Sequence, residues 1–406
     1  MSEPLLVGLA RRLARPVGEG ERKRARLHLL DWLACVAGAR GSEAFGRGGM
    51  LRLNGGAALL GNVLEMDDVH REALLHPGPV IWPAVFEQPV EELARALDAA
   101  VRGYEAMIAV GSALDAHHYA NWHPTATAGG IGAATAVASW WALDEQRTVW
   151  ALANAASVAG GLWHMRHADV MTKQWHVYHA VATGHDAALA AYNGITGPAA
   201  ILEGEQGFFA AMTREPKPLG GSDEGWLIHQ VSFKPFAACR HAHPAIDAAL
   251  ELRAAGRLQP PFQVETYSDA LRFCDKPDPR TELEAKFSLQ HAVAVVADGR
   301  GAEPGDFTEE AIAALAPLRA QVSVAEDAGI TARYPQHFGA RVNGFELRDT
   351  LGDPERPVGE DTIIAKMRTL TRWGGLPERE AERAVQAALH GNDTEAITKL
   401  LEDWLA

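Results

Sequence analysis

The sequence predicts a mainly α protein, with a large all-helical domain formed by both chain ends and a smaller inserted α+β lid domain. Three observations carry that prediction. Ala-rich segments of helical periodicity fill residues 89–202, strand-like alternation is confined to the region after about residue 220, and amphipathic helices return near the carboxyl end. The boundaries that follow are 1–230 for the first part of the helical domain, 231–352 for the lid and 353–406 for the helical return.

Residues 21–39, ERKRARLHLLDWLACVAGA, place apolar side chains at helical spacing and stop near Gly38, as an amphipathic packing helix does. A polar Gly/Arg stretch, 41–52, leads into NGGAALLGNVLEMDD. Four helical segments follow: VEELARALDAAVRGYEAMIAVGSALDAH, ATAGGIGAATAVASWWALD, RTVWALANAASVAGGLW and WHVYHAVATGHDAALAAYNG. Together they predict a helical bundle. In the lid, VSFKPFAACRHAHPAIDAALELRAAG contains one helix, and QVETYSDALRFCD reads as a strand. AQVSVAEDAG and TARYPQHFGARVNGFEL supply three more strands, with helices near Lys286 and Thr308 between. GEDTIIAKMRTLTRWGG and LPEREAERAVQAALHGNDTEAITKLLEDWL end the chain as capped helices, the last starting at Asp393-Thr394. A cleft between helical domain and lid is the default place for a ligand.

The 406 residues carry a formal net charge of -14 that no long Lys/Arg run offsets, which argues against nucleic acid or an anionic membrane as partner. A small anionic substrate then needs a locally basic pocket. Cys35, Cys239 and Cys274 are isolated and form neither a disulfide framework nor a CxxC knuckle, which fits a reducing cytoplasm. Residues 1–26 lack a long apolar core, so no signal peptide is expected. The uncharged stretch 126–143 is built of Ala, Gly, Thr and Ser, which suits close helix packing better than lipid.

Five clusters carry the reactive side chains. In residues 64–80, LEMDDVHREALLHPGPV, the acids Glu65, Asp67 and Asp68 end a mostly apolar run, so at least one carboxylate should be desolvated. Desolvation raises a carboxyl pKa toward the range useful for proton transfer. His76 stands before Pro77-Gly78, where the backbone must leave any helix and expose it; the bland alternative is a helix end with solvated acids. In NWHPTAT, residues 121–127, His123 and Thr125 precede a Gly/Ala helix whose amino terminus suits a carboxylate, unless Thr125 only caps a core helix.

HMRHADVMTKQWHVYH, residues 164–179, holds Lys173, whose burial would demand a carboxylate from the protein or the substrate. His176 and His179 are an ordinary pair or metal ligands, but no HExxH or other defined metal spacing is present, so no metal is expected. In FKPFAACRHAHPAID, residues 233–247, Lys234, Arg240, His241 and His243 offer donors that could grip an anion or serve only a helix start. His291, in KFSLQH, either faces the cleft or fills the lid core. There is no GxSxG, no P-loop and no GxGxxG after a strand, so no nucleotide cofactor is expected.

Taken in order, LEMDDVHREALLHPGPV, HPTATAGGIGAATA, the MTK of VMTKQWHVYH, KPFAACRHAHPAID and KFSLQHAVA resemble the MmgE/PrpD family, which includes dehydratases, decarboxylases and epimerases. The resemblance runs over roughly residues 64–299. It implies a two-domain fold of this kind, usually as a homodimer, with no metal or organic cofactor. It also implies a site involving Asp67 or Asp68, His76, His123, Lys173 and Lys234. The chain departs from the family pattern at Val69 (usually Thr), Glu65 (Asp), Asn62 (His) and His291 (Tyr), and Cys239 stands where the decarboxylase pattern has His.

The expected activity is a cofactor-independent, dehydratase-type lyase of a small di- or tricarboxylate, working by proton transfer at a carbon next to a carboxylate. His123 or His76 would be the base, with the other histidine, Asp67, Asp68 and Lys173 completing the catalytic set. Lys234, Arg240, His291 and Thr125 would line the substrate. Epimerisation or decarboxylation is the alternative within the fold. A metal-dependent hydrolase and a non-catalytic carboxylate-binding protein are the rivals from other classes.

Overall fold

A computed structural model describes residues 3–45, 47, 55–89, 91–168 and 170–406. Most of the second half of the Gly/Arg stretch, and Asp169 of the third cluster, lie outside the described residues. The protein is mainly α. Its contacts divide it into two units: Met1–Val63, Asp67–Val231 and Ile363–Ala406 form the first, and Leu64–Met66 with Ser232–Thr362 form the second.

The first unit begins with α1 (Leu5–Leu13), α2 (Glu19–Ala39) and α3 (Gly55–Leu60). It continues through α4 (Gly78–Phe86), α5 (Leu93–Ser112), α6 (Ala116–Asn121), α7 (Pro124–Trp140) and α8 (Glu145–Ser157). The long α9 (Thr172–Tyr192) and the short α10 (Phe208–Met212) follow. At its centre α7 packs on α4, α5, α8 and α9. Fifteen of its 17 residues are buried, which explains why the segment carries no charge and so many small side chains. Pro124 opens this helix at a position where its missing N–H costs nothing. Among the described residues no helix is long and apolar enough to cross a membrane.

In the second unit, α11 (His243–Ala254) precedes strand β1 (Phe262–Thr266), then α12 (Ser268–Cys274), α13 (Glu282–Lys286) and α14 (Leu289–Ala297). Next come α15 (Glu309–Ala314), α16 (Ala316–Arg319), β2 (Val322–Glu326), α17 (Ala328–Thr331), β3 (Ala340–Val342) and β4 (Phe345–Leu347). The sheet order is β2-β1-β3-β4, with β1 parallel to β2 and the other pairs antiparallel. Val264 lies opposite Val324 on one side and Val342 on the other.

Helices α18 (Glu360–Trp373), α19 (Glu378–Val385) and α20 (Glu395–Leu405) end the chain.

Three local expectations need correction. QVETYSDALRFCD is a strand only in its first residues; from Ser268 it is helix, because Ala270 and Cys274 bury one face at a spacing of four. The His76-Pro77-Gly78 turn does not end a helix but starts α4, with Pro77 at the N-cap and proline among the first helical positions. Thr394 does not cap α20 with its side chain: Asp393 Oδ1 accepts from Glu395 N, and Thr394 Oγ1 accepts from Glu91 N.

Candidate active site

In the first unit the acids and histidines meet on the loop between α3 and α4. Two ties fold this loop back on itself. His70 and Leu75 exchange backbone hydrogen bonds, and Gly78 N donates to Asp68 Oδ1 at 2.8 Å. Gly78 has to be glycine, because a Cβ there would come within 2.7 Å of that same carboxylate oxygen. The loop presents His76 half-buried at its end, with its backbone N–H donated to Thr125 Oγ1 of α7 at 3.0 Å.

The two aspartates do different work. Asp67 Oδ2 lies 2.9 Å from His76 Nδ1 and accepts from Asn62 Nδ2 at 2.7 Å. The Asp68 backbone carbonyl is 3.0 Å from the same His76 nitrogen. A carbonyl can only accept, so Nδ1 carries a proton. The Asp68 side chain instead anchors the loop. Its Oδ2 accepts from Tyr104 Oη at 2.7 Å and lies 2.8 Å from His28 Nδ1, and Trp82 Nε1 donates to the same Tyr104 hydroxyl. Burial pushes the Asp68 carboxyl up to about 6, against the pull of the Tyr104 and Gly78 donors. This is the desolvated acid that the apolar run before it predicted.

His123 is the N-cap residue of α7, buried, with Nδ1 3.3 Å from His176 Nδ1 and its ring 4.6 Å from that of Trp163. Burial, then the charge of Lys173 near the start of α9, pushes its imidazole well below the ordinary range, so His123 is neutral. Thr125 is buried and spends its hydroxyl on the His76 backbone. Asp67, Asp68, His76, His123, Thr125 and Lys173 are thus all members of the first unit.

The remaining candidates belong to the second unit. Lys234 is wholly buried, with Nζ 3.6 Å from Glu65 Oε2. Glu65 holds this pair from a left-handed backbone, φ 57°, a conformation that a non-glycine residue adopts at a cost of about 1–2 kcal/mol. Arg240 is paired with Asp353, which also accepts from Ser232 Oγ at 2.6 Å, so its charge is already matched within the unit. His291 fills the core of its own unit: its Nε2 is 2.8 Å from the Asp306 carbonyl and its ring meets Phe307 edge-on. Burial pushes His291 down to about 4.

Among the described residues, His337, Asp349 and Glu355 of the second unit could share a cation. Both His337 ring nitrogens are engaged, Nδ1 at 2.6 Å from Asp349 and Nε2 at 2.7 Å from Arg348, so a cation would have to displace a guanidinium. In the His176/His179 pair, His176 faces His123 and His179 stacks on Trp175.

Sequence reasoning missed the support behind the loop. His28 and Tyr104 reach Asp68 from α2 and α5, and Lys366 of α18 pairs with Asp31 of α2 at 2.6 Å. Burial pushes Asp31 up to about 7 against that lysine. One signal was visible: Asp31 interrupts the apolar run LHLLDWLACV, where a charge must find a partner.

The two-unit, mainly α build and the ordered clusters define the class, and the chain belongs to the MmgE/PrpD family. Its N-terminal domain matches residues 38–219 and its C-terminal domain residues 236–391. The chain is similar to the cis-aconitate decarboxylase of Homo sapiens, 29% identical over 262 residues that cover 58% of this chain and 53% of that enzyme. The enzyme of the same name from Aspergillus terreus is 26% identical over 273 residues, covering 57% of this chain and 56% of that protein. The mouse enzyme is 30% identical over 202 residues, 47% of this chain and 41% of its own length. The chain spans about half the length of the curated relatives it matches.

Proposed function

We propose that the protein is a lyase of a small di- or tricarboxylate that works by proton transfer at a carbon next to a carboxylate, with His76 as the base. The observation that carries this is the Asp67–His76 pair, at 2.9 Å, with the imidazole proton held on Nδ1. Nε2 takes the proton from the substrate carbon, and the Asp67 carboxylate stabilises the imidazolium that forms. His123, kept neutral by burial, serves as a hydrogen-bond donor to the charge developing on the substrate, and Lys173 supplies a positive charge near it. The β-hydroxyl then leaves, taking the proton from the His76 imidazolium to depart as water, which completes a dehydration and restores the base without a cofactor.

Decarboxylation is the second reading, and the shared name of the curated relatives favours it. There carbon dioxide leaves first, and the carbanion takes its proton from His76, which enters that turnover as the imidazolium. Against it stand Cys239 in place of a histidine and His291 in place of a tyrosine, with His291 turned into its own core.

The test is a panel of 2-methylcitrate, citrate, tartrate and cis-aconitate, followed by ultraviolet absorbance for a new conjugated double bond and by carbon dioxide release. A new double bond from a hydroxy acid supports dehydration, and gas from cis-aconitate supports decarboxylation. Exchange of a substrate C–H for deuterium without net loss would turn the reading to an epimerase. Silence across the panel would sink it.

The homodimer that the resemblance implies is proposed to form on the first unit. Val158, Leu162, Val170, Trp175, Leu189, Tyr192 and Ile195 are large apolar side chains left 43–62% exposed within one stretch of chain, and a second copy would cover them. Leu162→Glu combined with Trp175→Glu should give a monomer by light scattering.

A further inference from the structure

Two nitrogens converge on one oxygen of Asp67: Asn62 Nδ2 donates to Oδ2 at 2.7 Å, and His76 Nδ1, whose hydrogen bond goes to the Asp68 carbonyl, lies 2.9 Å away. Asn62 and Asp67 are each 1% exposed, so water does not replace a lost donor there. Only the amide nitrogen can face a carboxylate, which settles the orientation of the Asn62 side chain. A carboxyl group turns about a broad terminal torsion, and a neighbouring half-buried imidazole does not fix its plane. A donor from a rigid anchor restricts that freedom. Asn62 is such an anchor: it follows α3 directly, inside turns closed by Gly61 N to Ala57 O and Val63 N to Leu60 O.

We propose that Asn62 is a positioning residue, which holds the Asp67 carboxylate against the His76 imidazole so that Nε2 stays aimed at the substrate. The proposal rests on the reading of His76 as the base. Among the ionisable groups that feel Asp67 are His76 and Asp68 on its loop, His123 at the start of α7, Asp31 on α2 and Lys366 on α18. Asn62 is a donor to Asp67 that does not titrate.

Three variants test it. Asn62→Leu removes the donor and should lower kcat about 10- to 100-fold with KM little changed, the loss of one hydrogen bond to a charged group. Asn62→His restores a donor and should recover most of that loss. Asn62→Asp donates only while protonated, so its activity relative to the parent at the same pH should fall as pH rises. An activity-independent readout accompanies these: the far-downfield proton resonance of His76 Nδ1–H, assigned by its disappearance in His76→Asn. It should keep its position in Asn62→His, move upfield in Asn62→Leu, and move upfield with rising pH in Asn62→Asp. A resonance unchanged in Asn62→Leu, or an Asn62→Asp profile that matches the parent, would overturn the proposal. If no panel substrate turns over, the lyase reading fails, while the resonance still decides the role of Asn62. If Asn62→Leu does not fold, the pH contrast between Asn62→Asp and Asn62→His decides instead.

Discussion

Asp67 and Asp68 are neighbours in sequence and opposites in use. Asp67 faces the imidazole, so Asp67→Asn should lower turnover about 10²- to 10⁴-fold, the usual range for losing acid–base support, and should leave the fold intact by circular dichroism. Asp68 faces Tyr104, His28 and Gly78, so its loss should appear first in stability. With its carboxyl held up to about 6 in the folded protein, the folded state binds the proton more tightly than the unfolded chain does. Its contribution is therefore full below about pH 4 and is lost as pH rises to about 6, on the order of 3 kcal/mol. Tyr104 donates to the ionised form more strongly than to the neutral one. Tyr104→Phe should therefore cost more at pH 8 than at pH 4 in urea unfolding; equal costs would show that Asp68 does not ionise in that window. The sequence made Asp67, Asp68 and His76 legible because they crowd into one short span. It hid His28 and Tyr104, which are 40 and 36 residues away from Asp68 and look like ordinary members of α2 and α5.

At the scale of elements, α7 and α9 carry His123, Lys173 and His176, and their closeness depends on Gly184. A Cβ there would come within 2.4 Å of Ala133 Cβ and 2.5 Å of Ala134 N. Gly→Ala within a helix ordinarily stabilises by up to about 1 kcal/mol, but here it should destabilise by about 1–3 kcal/mol through overpacking. It should also lower activity, because α9 must shift with both its site residues; an unchanged melting temperature would contradict this packing. The pairing of small residues was legible in the uncharged Ala/Gly run of α7, where only close helix contact explains the composition. The strand expected through residue 275 was not, because SDALRFC has aromatic and apolar spacing that serves either period, and the tertiary partner chose the helix. The C-terminal return as helices was plain from periodicity, whereas the pairing of Lys366 with Asp31 across 335 residues was beyond any local signal.

For the molecule as a whole, buried histidines set the response to acid. Burial is the main cause that holds His70, His118 and His291 at about 4 and His241 at about 3. Each is depressed in the folded state below its ordinary 6.5, so its contribution is full at neutrality and is lost as pH falls from about 6.5 toward about 4. At pH 5 that is about 2 kcal/mol apiece. Asp31 and Glu87, pushed up to about 7, Asp68, pushed up to about 6, and Glu105 and Asp247 work in the other direction, but burial lowers His28, His123 and His176 as well, so the histidines are the more numerous. The melting temperature should fall between pH 7.5 and pH 5; a rise would mean that the carboxylates dominate. The central claim, that His76 backed by Asp67 moves the proton next to a substrate carboxylate, is tested most directly with the panel substrate that turns over. The measurement is proton–deuterium transfer at that carbon, followed by NMR in D₂O for the parent and for His76→Asn. The account predicts loss of the substrate C–H proton from that carbon to the solvent with the parent, and a rate lower by about 10²-fold or more in the folded variant. Undiminished transfer by His76→Asn would contradict it.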